Sequence, residues 1–306
     1  MVRSGIGPSI INEIRNNIRG EVLDSEPLSN HTTYRTGGDA DLLVSVNDAT
    51  EAEWMYRFCL EKDLPLKIIG AGSNLIVAHS GIRGIVMKTR SREAVIDFEN
   101  QGRVISDAGV YLDTLIRELA ERGYGGLNCI AGIPGTVGGA VFMNAGTGGG
   151  DVSSLLENVE VVTPEGRKAI LAPEDIQFGY RSSIFHDNGW LILRAEFRIK
   201  EVDRETELNE IDRIWEKRMK LYPMNFPTAG SVFKNPEGDR AGRLLDRAGC
   251  GGLKVGDAMI SEKHANFIIN TGNASSDDIL KLIKIGRERV FQKFGIRLEL
   301  EQEMIG

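Results

Sequence analysis

Glycine is unevenly spread along this chain: of 36 glycines, many fall between Gly123 and Gly150. Such a concentration inside an otherwise ordered pattern predicts main chain packed tightly against something, because a residue without Cβ lets a backbone approach its neighbour closely. The stretch Ala131-Gly132-Ile133-Pro134-Gly135-Thr136-Val137-Gly138-Gly139-Ala140 lacks the spacing and the lysine of a P-loop. Pro134 has no N–H, yet the glycines around it leave backbone bare for a planar ligand or a phosphate. A second loop, Gly70-Ala71-Gly72-Ser73-Asn74, follows the apolar run Leu66–Ile69. A dinucleotide loop of the Rossmann kind would have to open a helix whose N-terminus meets the pyrophosphate. Here Leu75-Ile76-Val77 follows at once and reads as strand, which excludes that arrangement. A strand–turn–strand with two glycines still presents consecutive N–H groups to an anion. Either loop alone reads as a tight turn; two in one region point to a ligand site.

Periodicity places these loops in an α+β chain. Ile10, Ile11, Ile14 and Ile18 recur at helical spacing after Pro8, and Asp48-x-x-Glu51 opens a second helix carrying Ala52, Met55, Phe58 and Cys59. Leu66–Ile69, Leu75–Ala78 and Ile85–Lys88 read as strands, and Tyr111–Arg122 as a helix ending at Gly123. Strands are expected again at Asn158–Thr163, Lys168–Leu171 and Trp190–Lys200, the last alternating Leu191, Leu193, Ala195, Phe197 and Ile199 on one face. Beyond Lys200 a charged stretch leads into a helix built on Leu208, Ile211 and Trp215, and Pro223 and Pro227 then break the chain. A short helix at Arg240–Ala248, a strand at Asn266–Asn270, a long helix at Asp277–Phe294 and an alternating strand at Arg297–Ile305 complete the pattern.

The net charge of −7 argues against nucleic acid or an anionic membrane as partner. No stretch reaches transmembrane length and the first twenty residues lack a signal-peptide core, so a cytoplasmic protein is expected. Cys59, Cys129 and Cys250 are far apart and odd in number, which fits free thiols in a reducing compartment. His264 in Lys-His-Ala-Asn has no second ligand at metal spacing, and no metal is expected.

An ordered set of motifs carries a resemblance. His31-Thr32-Thr33-Tyr34-Arg35-Thr36-Gly37-Gly38, Gly70–Asn74, Gly132–Gly146, Gly179-Tyr180-Arg181-Ser182-Ser183, Ala229-Gly230-Ser231-Val232-Phe233-Lys234-Asn235-Pro236 and Leu298-Glu299-Leu300-Glu301 together resemble the UDP-N-acetylenolpyruvoylglucosamine reductase family, from about residue 28 onward. The shorter subclass, without an extra tyrosine-bearing loop, is the better match.

The resemblance implies an α+β fold: a two-subdomain FAD-binding module of the vanillyl-alcohol-oxidase type and a smaller α+β substrate-binding domain. The corresponding division is an N-terminal helical segment over residues 1–29, a flavin domain over 30–202 (subdomains of about 30–90 and 91–202), and a substrate domain over 203–306. It also implies FAD as cofactor and NADPH as co-substrate. Tyr34 and Arg35, the loop Gly70, Ala71, Gly72, Ser73 and Asn74, and the second stretch at Gly132, Gly135, Thr136, Gly138, Gly139, Asn144 and Gly146 are the expected cofactor contacts.

The implied reaction reduces the enolpyruvyl ether of UDP-N-acetylglucosamine to UDP-N-acetylmuramate for peptidoglycan synthesis. Charge gathers on the carboxylate side as hydride arrives, so a cation and a positioned proton donor are needed. Arg181 matches the family's cation, Ser231 its proton donor and Glu301 its partner acid. Tyr180, Lys220, Asn235 and His264 match positions that contact the nucleotide diphosphate or sugar; Lys220 needs a one-residue shift in the Leu-Tyr-Pro that follows. Arg243 and Lys254 are further basic residues within the same domain. Period two places Leu298, Leu300 and Met304 on one face of the last strand and Glu299, Glu301 and Glu303 on the other, a pattern equally suited to a solvated acidic face. The chain also departs from the family in having Leu300 where proline is frequent. An oxidase on the same fold, or a noncatalytic nucleotide-sugar-binding regulator, are the alternatives; a monomer or weak oligomer is expected.

Overall fold

The computed structural model describes residues 5–91 and 102–306. The expected join of the two flavin subdomains, near residue 91, borders a segment outside the described residues, as does the start of the N-terminal helical segment. The chain divides into two compact units, each assembled from separated segments. Residues 1–24, 41–71 and 84–216 make the first; residues 25–40, 72–83 and 217–306 make the second.

The helix Pro8–Asn17 begins with proline in its first turn and buries Ile11 and Ile14. Asp48 caps the helix Ala49–Glu61, its carboxylate accepting the Glu51 N–H at 2.9 Å. Both helices bury their apolar stripes in one core of the first unit, with Leu42, Val44, Met55 and Met87 at its centre. The strands Val22–Pro27, Asp39–Val46, Ile82–Thr89 and Leu66–Ile69 form a sheet in that order, the last two parallel with Leu66 opposite Ile85.

A second sheet of the first unit runs Lys168–Leu171, Leu156–Val162, Leu191–Arg198, Arg103–Asp107, all antiparallel. Its alternating strand Leu191–Arg198 turns Leu193, Ala195 and Phe197 inward, as the period of two requires. The helix Leu112–Glu121 covers this core with Leu115, Ile116 and Leu119. On the other face Arg194 bridges Asp107 at 2.9 Å and Glu160 at 3.3 Å. Lys168 continues the row from Glu160 to Glu53, so opposite charges alternate across the strands.

In the second unit the strands Lys254–Val255, Ala258–Ile260 and Ile268–Asn270 form a small antiparallel sheet. The helix Ser276–Phe294 packs on it through Ile279, Leu282, Ile283 and Val290. Ser275 and Asp278 close a reciprocal capping box at its start: the serine hydroxyl accepts the Asp278 N–H, and the carboxylate accepts the Ser275 N–H. Gly295, at φ +71°, ends it in the left-handed conformation. The strand Leu75–Val77, just after the first glycine loop, pairs in parallel with Glu303–Ile305.

That last pairing corrects the expected long strand at Arg297–Ile305. The segment changes partners midway. Leu300 bridges Phe233 and Glu301 donates its N–H to the Val232 carbonyl, whereas Glu303 donates to the Asn74 carbonyl and enters the parallel pair. The period of two is broken with it: Met304 is 57% exposed and Gln302 is buried at 3%. Expected ranges elsewhere differ from the observed elements by a few residues at most.

Candidate active site

In the first unit the two glycine-rich stretches meet. A Cβ on Gly70 would lie 2.5 Å from Thr136 Oγ1, closer than any side chain tolerates, so only glycine lets the loop settle there. Thr136 is itself fixed as the N-cap of the helix Val137–Phe142, accepting the Gly139 N–H at 3.3 Å. The next N–H groups are already spoken for: Val137 donates to Val110 and Gly138 to Ala108, at 2.9 and 2.8 Å. A Cβ on Gly138 would strike Ala108, so that glycine serves packing within the protein.

Arg181 sits at the tip of a tight turn closed by reciprocal hydrogen bonds between Gly179 and Ser182. Its φ of +54° is unusual for a side chain of this size, a strain of about 1 kcal/mol that tends to mark functional positions. The guanidinium is aimed by main chain, donating to the carbonyls of Gly146 at 2.5 Å and Asn144 at 3.3 Å. Asn144, also at positive φ and buried, holds this corner together. Its amide donates to Asp151 and the Gly179 carbonyl, and its oxygen accepts the Ser153 N–H. Tyr180 is 53% exposed beside Arg181, whose guanidinium carbon is 5.2 Å from the ring centroid. The structure thus ties Arg181 directly to the end of the glycine-rich stretch.

In the second unit Gly72, at φ +69°, packs against the His31 carbonyl, while Thr33 donates its N–H to the Gly72 carbonyl at 3.1 Å. Arg35 follows at φ +58° and is exposed. Tyr34 is fully enclosed at 0%, so it offers no surface to a ligand in this conformation. Burial keeps its phenol well above the ordinary range and hence neutral.

Ser231 follows Gly230, which is at φ +76°, and bridges Phe267. The strand-like segment after it is gripped from both sides. Val232 and Phe233 bond to Asn266 through its backbone and side chain, and Lys234 donates to the Glu299 carbonyl. Glu301 donates its N–H to the Val232 carbonyl at 2.8 Å, so the serine and the glutamate are carried on hydrogen-bonded neighbours. Of the three glutamates that spacing left equivalent, Glu299 is exposed and Glu301 and Glu303 are half-buried.

The remaining expected contacts are also in this unit, apart from Tyr180. His264 stands against Tyr222 and Phe267, with centroids 5.2 and 5.1 Å away, and burial lowers its pKa so that the neutral ring is favoured. Asn235 accepts the Ala241 N–H at 3.0 Å, at the head of the helix Ala241–Arg247. Lys220 is exposed in the last turn of the helix Arg204–Leu221. Arg243 pairs with Asp239 at 2.8 Å. Among the described residues no group of three His, Cys, Asp or Glu is placed to hold a metal.

Residues 40–170 match the FAD binding domain model, and residues 222–305 the model of the UDP-N-acetylenolpyruvoylglucosamine reductase C-terminal domain. The chain is 43% identical over 300 residues to the UDP-N-acetylenolpyruvoylglucosamine reductase of Moorella thermoacetica, covering 97% of this chain and 98% of the relative. The enzyme of that name from Carboxydothermus hydrogenoformans is 41% identical over 294 residues, covering 96% and 97%. The crystal structure of UDP-N-acetylenolpyruvylglucosamine reductase from Thermus caldophilus matches with a TM-score of 0.77 and 36% identity, over 94% of this chain and all of that one. The chain belongs to the UDP-N-acetylenolpyruvoylglucosamine reductase family.

As a member of this reductase family it is an FAD-containing oxidoreductase of peptidoglycan synthesis with NADPH as reductant, on the α+β flavin fold that the resemblance implied. The residues present fit a flavin. Two buried side-chain oxygens, Thr36 Oγ1 in one expected flavin segment and Asn128 Oδ1 just before another, have no hydrogen-bond partner among the described residues. Buried polar atoms are rarely left so, and each suits a bound ligand. Motif reading missed Gln302 and the connection of Asn74 to Glu301; the lone uncharged polar residue in Glu301-Gln302-Glu303 was the available signal for the first.

Proposed function

We propose that Arg181, Ser231 and Glu301 carry the family reaction in this chain, reducing the enolpyruvyl ether of UDP-N-acetylglucosamine to UDP-N-acetylmuramate. FAD, when bound, supplies hydride transfer from NADPH to the substrate's methylene carbon. The Ser231 hydroxyl delivers the proton to the neighbouring carbon. Arg181 offsets the charge that develops on the carboxylate side, and its strained, main-chain-anchored geometry means that little reorganisation is needed when that charge forms. Glu301 assists the proton transfer as the partner acid. The observation that carries this assignment is the 2.8 Å bond from the Glu301 N–H to the Val232 carbonyl, which holds the backbone of the proposed acid against the residue that follows the serine.

Tyr34, Arg35, residues 70–74 and the stretch Gly132–Gly146 would hold the cofactor, Tyr34 by supporting its loop from inside. Tyr180, Lys220, Asn235 and His264 would contact the sugar nucleotide. The flavin domain over 30–202 and substrate domain over 203–306 are supported by the separate matches to residues 40–170 and 222–305. No helix among the described residues is long and apolar enough to cross a membrane. We place the enzyme in the cytoplasm, as a monomer or weak oligomer without a nucleic-acid partner, in keeping with its net charge of −7.

The half-reactions test the assignment. NADPH oxidation needs no proton on the sugar, so Ser231→Ala should leave flavin reduction unchanged and slow anaerobic reoxidation by the enolpyruvyl substrate by roughly 10²–10⁴-fold. Equal losses in both would remove Ser231 from the chemistry.

A further inference from the structure

The residue after Glu301 reaches back to the residues before Ser231. Gln302 is buried, and its side-chain amide donates to the carbonyls of Ala229 at 3.1 Å and Gly230 at 3.3 Å. Its amide oxygen accepts the Tyr34 hydroxyl at 3.1 Å. Tyr34 is in turn fixed through its own carbonyl, which accepts the Asn270 side-chain amide at 2.9 Å. Asn270 is held by the N–H groups of Gly272 and Ala274. Gln302, Tyr34, Asn270 and Ala229 are buried, so the bonds among Gln302, Tyr34, Asn270 and the Ala229 carbonyl are made with little competition from water.

Gly230, at φ +76°, is the joint on which the Ser231 backbone turns. A glycine at positive φ has wide conformational freedom of its own, and the two carbonyls just before the serine would be free to rotate were they not held. Gln302 holds both. Resting on the proposed roles of Ser231 and Glu301, we infer that Gln302 is a positioning residue for the proton transfer. It locks the peptide groups preceding Ser231 to the backbone that carries Glu301, with Tyr34 as its anchor. The substrate half-reaction therefore depends on Gln302, although its side chain touches no reacting atom.

The test uses the FAD-loaded full chain and four variants in anaerobic stopped-flow half-reactions, with FAD content and thermal midpoint measured alongside. Gln302→Met keeps the side chain's length but loses its three bonds. It should slow reoxidation by the enolpyruvyl substrate roughly 10- to 100-fold, as a displacement of about an ångström does. Flavin reduction by NADPH and FAD content should stay within about twofold of wild type, inside the scatter expected of a variant that leaves that step alone. Tyr34→Phe retains the two carbonyl bonds and should give a smaller loss confined to the same step. The double variant Ser231→Ala/Gln302→Met should be no slower than Ser231→Ala, because residues acting through one another are not additive. Loss of FAD or equal slowing of both half-reactions would mean a purely structural role and overturn the inference. So would additive losses, or full activity in both Gln302→Met and Tyr34→Phe. If Gln302→Met fails to fold, the split between half-reactions in Tyr34→Phe decides. Normal reoxidation by Ser231→Ala itself would instead sink the underlying assignment.

Discussion

Asn74, the last residue of the first glycine loop, donates its side-chain amide to the backbone carbonyl of Glu301 at 3.1 Å, across 227 residues of sequence. With the Glu301 N–H bound to Val232, both backbone polar groups of that residue are committed, and the glutamate side chain leaves from a fixed backbone. Asn74→Ala should cost about 1 kcal/mol of stability, the usual worth of a hydrogen bond of this kind. It should also slow flavin reoxidation more than flavin reduction. Urea unfolding and the two half-reactions check this; an unchanged reoxidation rate would detach Asn74 from the placement of Glu301.

The three glutamates of the closing segment separate cleanly. Glu301→Gln should slow reoxidation by the sugar nucleotide at least roughly 10²-fold, the lower end for a positioned acid, with NADPH reduction unaltered. Glu299→Gln and Glu303→Gln should stay near wild type. Identical behaviour in all three would make Glu301 an ordinary solvated carboxylate.

Arg181 carries strain that glycine would relieve. Arg181→Gly gains about 1 kcal/mol from the left-handed φ and loses the guanidinium bonds to Asn144 and Gly146, so stability should change by no more than about 1 kcal/mol. Substrate-driven reoxidation should nevertheless collapse. A variant as active as wild type would show that the turn matters and the cation does not.

Glycine variants probe different things at different positions. A Cβ on Gly139 would meet Thr136 Oγ1 at an ordinary 3.5 Å, so Gly139→Ala should fold normally, with any loss appearing as FAD content. Gly72→Val forces a branched side chain into the His31 carbonyl at φ +69°, and should unfold the second unit rather than merely release flavin. Circular dichroism and flavin stoichiometry separate the two; a well-folded Gly72→Val would contradict the packing described.

The capping box of the helix Ser276–Phe294 gives an acid-sensitive contribution. The Ser275 backbone N–H and then its hydroxyl hold the Asp278 carboxyl below the usual carboxylate range. A depressed folded pKa means that the cap stabilises fully above the unfolded value of about 3.9 and is lost as pH falls through the lower folded one. Asp278→Asn should therefore be less stable than wild type at pH 7, with the difference shrinking below about pH 4. Urea unfolding at pH 3 to 7 measures it, and a difference independent of pH would exclude the carboxylate.

Local structure was legible where one residue decides it. Asp48 and the alternation from Leu191 to Phe197 gave a cap and a strand because capping and burial act over a few residues. The site residues came from ordered motifs, and spacing alone could not separate Glu301 from its neighbours. The end of the chain was misread as one strand because Leu298, Glu299, Leu300 and Glu301 alternate, whereas the switch to Leu75–Val77 depends on a partner more than two hundred residues away. No local period encodes such a pairing. The glycines were legible as close approaches but not as approaches to what: Gly70 meets Thr136 and Gly138 meets Ala108.

The bond between Tyr34 and Gln302 spans 268 positions, and Leu75–Val77 finds its parallel partner only at Glu303–Ile305. During synthesis at about 5–20 residues per second, these early segments wait on the order of ten to fifty seconds before their partners exist. Through that interval Tyr34, Ile76 and the bare edge of the strand Leu75–Val77 lack their final cover, an opening for chaperone binding or misassociation. The closure that sets Glu301 in place is thus also among the last that the growing chain can make.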